Sequence, residues 1–158
     1  MLSSSGGPTT RRERLGSMYK TLLVPVDLSE LPTSQPAIDR AVALASASGG
    51  TIRLINVRSI VPMTYMEFVP PSFDQEQQEE AETRLAQVAA GIPLPADRVS
   101  AVVRLGSVYN EVLEEADKTG TDLIVIGSHR PTMATYLLGS NASTVVRHAR
   151  CSVLVVRA

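Results

Sequence analysis

Residues 21–26 form an unbroken apolar and β-branched run ending at Asp27, the pattern of a strand buried on both faces rather than of one that alternates. Over residues 34–48, Ala37, Ile38, Ala41, Val42, Leu44 and Ala45 recur at helical spacing until Gly49 and Gly50 stop them. A second strand is predicted over 51–57, with Ile52, Leu54, Ile55 and Val57 as its apolar content. An irregular stretch then runs to Ser72. The charged segment 73–90 follows, and its Ala81, Leu85, Val88 and Ala89 make one helical stripe. Pro93 and Pro95 break that helix, and residues 99–104 alternate as a third strand. Ser107 opens a helix carrying Val108, Val112, Leu113 and Ala116, which Gly120 ends. Residues 123–126 are the most apolar strand candidate, 140–149 the last helix and 152–156 the last strand.

Strands alternating with helices imply an α/β fold with a parallel sheet, because parallel neighbours need crossovers that lay helices over the sheet. Right-handed crossovers suggest a doubly wound, five-stranded sheet of order 3-2-1-4-5 with helices on both faces. Residues 1–17 hold Ser, Gly, Pro and a basic RRER group without a secretory apolar stretch, and are expected to form a disordered tail outside one domain at 18–158.

Composition narrows the partners. The chain has 158 residues, enough for one sizeable core, and is 44% hydrophobic and 20% charged with a net charge of −1. Its basic residues are dispersed and balanced by acidic ones, which argues against nucleic acid. No apolar run approaches the roughly 20 residues that span a bilayer, so an integral membrane protein is not expected. The single cysteine, Cys151, has no partner for an internal disulfide or a zinc site; it reads as a small hydrophobe in a reducing, cytoplasmic setting.

In open α/β sheets, ligands bind beyond the carboxyl ends of the strands where strand order reverses. Here that point lies between strands one and four. It brings Pro25, Val26 and Asp27 near Gly127, Ser128, His129 and Arg130, with Val57 completing the wall. The connection 128–138 exceeds the roughly 2–6 residues usual for such loops. It enters Gly139-Ser140-Asn141-Ala142-Ser143, where glycine lets backbone approach a ligand and Ser140 or Asn141 suits a helix N-cap. The first helical N–H groups then make an anion site.

Each feature also has a plainer reading. Gly139-Ser140 serves equally as a turn and cap, Asp27 as an Asx-turn, and His129 with Arg130 as a solvated surface pair. His148 suits the negative end of its helix. Met63, Tyr65, Met66, Phe68 and Phe73 read as ordinary packing, a lid or a contact surface. There is no local pattern of nucleophile, base and orienting acid, no Walker lysine loop and no GxGxxG. One Asp without a second ligand leaves the metal unknown, with Mg on the phosphates the candidate.

Leu22-Leu23-Val24-Pro25-Val26-Asp27, Gly127-Ser128-His129, Leu137-Leu138-Gly139-Ser140 and the segment from Val145 to Val156 together resemble the universal stress protein family, over essentially all of 18–158. Many members bind ATP with the pattern Gly, two residues, Gly, nine residues, Gly, then Ser or Thr. Here Arg130 stands at the middle glycine, and the spacer is one residue shorter. Ser128 to Pro131, with Tyr136-Leu137-Leu138-Gly139-Ser140-Asn141-Ala142, is similar to the F/G-type branch, in which nucleotide binding is also known.

The resemblance implies adenine and ribose contacts from Pro25, Val26, Asp27 and Val57. It implies phosphate contacts from Gly127, His129, Arg130, Gly139, Ser140, Asn141 and Ala142, with Ser128 a further nucleotide-binding residue. The ligand would be ATP, with AMP or ADP as variants. The resemblance further implies a stress-response regulator that changes its contacts with a protein partner according to nucleotide state, and a homodimer paired through the last strand, whose apolar edge invites pairing. The alternatives are a nucleotide-free dimeric scaffold, with Arg130 blocking the pocket, and a slow ATPase.

Overall fold

The structure, a computed structural model, describes residues 18–128 and 138–157. Strand β1 (Thr21–Pro25) leads through helix α1 (Leu31–Ser48) to β2 (Thr51–Arg58). A 3₁₀ turn (Met63–Phe68), helix α2 (Phe73–Ala90) and a second 3₁₀ turn (Ala96–Arg98) lead to β3 (Val99–Leu105). Helix α3 (Val108–Thr119) then connects to β4 (Leu123–Gly127), and helix α4 (Ser140–His148) precedes β5 (Ser152–Val156). The strands form one five-stranded parallel sheet of order β3-β2-β1-β4-β5, the order expected from the crossovers.

The period-two geometry of strands divides the core. Leu22, Val24, Ile52, Leu54, Leu123 and Val125 pack with Ala37, Ile38 and Ala41 of α1 and Leu85 of α2. Leu23, Ile55, Ile124 and Ile126 face the other way, onto Val112 and Ala116 of α3 and Ala142 and Val145 of α4. The charged helix α2 is held by its thin apolar stripe: Leu85 is fully buried, and Ala81, Val88 and Ala89 pack beside it.

On the α3 face, Arg53 of β2 and Arg104 of β3 close on one carboxylate, Glu115, at 2.8 and 2.7 Å. Glu115 is only 3% exposed. Burial by itself would raise its pKa, but the hydrogen bonds and charges of Arg104 and Arg53 outweigh that and hold the carboxyl below its ordinary value.

Two elements depart from the sequence expectation by more than a residue at an end. Helix α1 starts at Leu31 rather than Ser34, because Pro32 occupies the first turn, where the missing N–H is no loss and the fixed φ suits a helix. Residues 63–68, expected to be irregular, form the 3₁₀ turn. Its Met63 and Phe68 are 86% and 83% exposed, so these side chains are not core packing.

Candidate functional site

The strand ladders stop at different heights, and that difference opens the site. The β1–β4 pairing ends at Leu23↔Ile124, whereas β4–β5 continues to Gly127↔Val156. Beyond Leu23, β1 and β4 are therefore no longer joined. At the opposite end of the sheet the Asp122 carboxylate ties the two strands, accepting from the Lys20 N–H at 2.8 Å and the Thr21 N–H at 3.1 Å. The result is a crevice of about 400 Å³ at the carboxyl ends of the strands.

The expected residues Pro25, Val26, Asp27 and Val57 line one side of this crevice. Gly127, Gly139, Ser140, Asn141 and Ala142 line the other. Ser128 is buried next to them, its N–H donating to the Val156 carbonyl at 3.0 Å, and is not among the lining residues. His129 and Arg130 lie outside the described residues.

Asp27 lies two residues beyond β1 and forms the turn into α1. Its Oδ1 accepts from the Ser29 N–H at 2.9 Å and the Ser29 hydroxyl at 2.6 Å, an Asx-turn. Its own N–H donates to Ser34 Oγ at 2.9 Å, fixing the exit of β1 against the first turn of α1. The side chain remains exposed, so the turn and a carboxylate facing the crevice coexist. Gly127 packs closely: a Cβ there would lie 3.3 Å from the Thr33 carbonyl oxygen, tighter than ordinary contact.

The N-cap of α4 is Gly139, one residue earlier than expected, and it makes no side-chain capping bond. Its extended conformation (φ −55°, ψ 152°) leads into a first turn that borders the crevice at Ser140, Asn141 and Ala142. The positive end of the α4 dipole thus faces the cavity. Among the described residues no group of three or more His, Cys, Asp and Glu side chains is placed to hold a metal ion. His148 is exposed in the last turn of α4. Cys151 packs against the α3 and α4 side of the core, where burial pushes its thiol pKa up.

Comparison with known proteins agrees with this architecture. The universal stress protein family profile matches residues 18–157. The chain belongs to the universal stress protein family. It is 41% identical over 143 residues to universal stress protein G of Escherichia coli O157:H7, covering 89% of this chain and 100% of that one. Universal stress protein A homolog 1 of Coxiella burnetii is 36% identical over 142 residues, covering 87% and 96%. Among solved structures, hypothetical protein MJ0577 superposes with a TM-score of 0.74 at 26% identity, covering 89% and 97%. A universal stress protein in complex with cAMP gives 0.59 at 26% identity, covering 89% and 98%.

In this universal stress protein the crevice also recruits residues that sequence reasoning did not select, among them Ser29, Ser34, Asn56, Ser59 and Val108. Ser29 carried a signal, since it lies two residues beyond Asp27, where an Asx-turn places its partner; Ser34, seven residues on, carried none. Asn56 carried another, as a polar residue set directly between the apolar Ile55 and Val57 of β2.

Proposed function

We propose that this universal stress protein binds an adenine nucleotide, with ATP as the first candidate and AMP or ADP as alternatives, and regulates a protein partner according to its bound state. One observation carries the reading: the ends of β1 and β2, Gly127 and the first turn of α4 converge on one crevice. A flat apolar base fits between Pro25, Val26 and Val57. The exposed Asp27 carboxylate keeps acceptor capacity for ribose hydroxyls, since only Oδ1 is committed to Ser29. Phosphates meet the N-terminal turn of α4, where backbone N–H groups and the helix dipole favour an anion. The cAMP complex of a related protein supports a nucleotide as the class of ligand.

Asp27 is the one carboxylate among the described residues lining the crevice. A Mg ion would therefore ride chiefly on the phosphates, and binding with regulation fits this site better than turnover. His129 and Arg130 are proposed as further phosphate contacts through charge-assisted hydrogen bonds. The wider proposal is a cytoplasmic stress-response role in a homodimer paired through β5. Native mass spectrometry of protein purified without added nucleotide tests the ligand: an adenine nucleotide should co-purify. Bare protein that also takes up no added ATP, AMP or ADP would refute it.

A further inference from the structure

We propose that Asn56 is a positioning residue that parts β1 from β2 at the mouth of the crevice, so that the Val57 backbone faces the ligand's base; the ligand, though not the geometry, rests on the nucleotide reading above. Backbone groups in a parallel strand point alternately to its two neighbours. Ile55 O accepts from the Val26 N–H at 2.8 Å, so Ile55 and Val57 address the β1 side. Arg58 O accepts from the Gly106 N–H at 2.9 Å, so the intervening residues address β3.

In an uninterrupted ladder the next bond would run from the Val57 N–H to the Val26 carbonyl. That carbonyl instead accepts from Asn56 Nδ2 at 2.9 Å, and the β1–β2 register ends at Pro25↔Ile55. The Val26 carbonyl thus receives the Asn56 amide and no bond from the Val57 N–H. Val57, one residue beyond, lines the crevice.

Packing does not call for an amide at this position. Asn56 is 8% exposed and alternates with Ile52 and Leu54, which face the apolar α1 and α2 side of the core. A buried amide is costly unless hydrogen-bonded, and the bond it makes here is the one that ends the ladder. An apolar side chain would fill the space and leave Val26 O for Val57.

Hydrogen exchange of the Val57 amide in the ligand-free full chain, wild type against Asn56→Leu, tests the geometry, with Asn56→Val as the substitute if the leucine variant does not fold. Closure of the ladder should slow exchange at Val57 about tenfold, the effect of one added hydrogen bond. A merely stabilising Asn56 gives the opposite sign, faster exchange through a loosened strand end, and that result would overturn the proposal. Calorimetry with ATP reads the consequence: the variant should bind about tenfold more weakly, the same free energy being needed to reopen the strands. Slowed exchange with ATP affinity unchanged would overturn the link between the parted strands and the base. A wild-type chain that binds no ATP would count against the nucleotide reading alone, and the exchange comparison would still decide the geometry.

Discussion

Glu115 ties the centre of α3 to β2 and β3, and its two arginine partners make its ionised form the native one. Because its pKa in the folded protein is depressed, the unfolded chain binds more protons near the ordinary value of 4.5. The contribution of this group to stability is therefore full above that value and is lost as pH falls through the lower, folded pKa. Urea unfolding followed from neutral pH downward should show this loss, and Glu115→Gln should remove the component. At neutral pH the substitution should cost about 1–3 kcal/mol, less than for a fully buried pair because Arg53 and Arg104 keep contact with water. Arg53 was unreadable as a partner of Glu115 from the sequence, since nothing in a strand otherwise rich in Ile and Leu announces which helix covers its polar face. Asn56 was missed for a related reason: its role depends on where β1 stops pairing, which a local pattern does not encode.

The strands were legible because runs such as Leu22-Leu23-Val24 and Leu123-Ile124-Val125-Ile126 are short and apolar on both faces, the pattern of strands in a sheet covered on both sides. Helix starts were less so. The first turn of α1 offers one apolar residue for the stripe, Leu31, seven positions before Ile38, and Pro32 is compatible with both a turn and a helix opening, so the pattern became readable only at Ala37. The 3₁₀ turn at Met63–Phe68 is too short to carry a period, and its apolar side chains are exposed. Helix α2 shows how little apolar surface suffices: most of it is Glu, Gln, Asp and Arg, and Leu85 is its one fully buried side chain. Leu85→Ala should thus lower stability by about 2–5 kcal/mol, measured by denaturant midpoint. A loss below 1 kcal/mol, the scale of an ordinary surface substitution, would mean that the stripe does not anchor α2.

At the scale of the molecule, the sheet order places the site, because β1 and β4 connect in opposite directions and separate beyond Leu23↔Ile124. The same order leaves β5 at an edge, with Val153, Leu154 and Val155 half-buried in the described chain. Ser128 donates to Val156 O, so Val153 and Val155 turn their backbone groups away from β4, toward the open side. If homodimers pair through this strand, Val155→Pro removes an edge donor while sparing the β4 ladder. Sedimentation should then report a shift from dimer to monomer with the α/β circular-dichroism spectrum retained; an unchanged dimer would place the interface elsewhere.

Gly139 and Asp27 approach the crevice from opposite walls, and the nucleotide reading needs both. The most direct measurement is a calorimetric titration of the full chain with ATP, alongside Asp27→Ala and Gly139→Trp. The wild type should bind saturably. Asp27→Ala should lose about tenfold to a hundredfold in affinity, as expected for hydrogen bonds to a charged group, and Gly139→Trp should lose binding while its thermal unfolding remains cooperative. A folded wild-type chain that gives no binding at millimolar ATP, or affinities unchanged in both variants, would contradict the account.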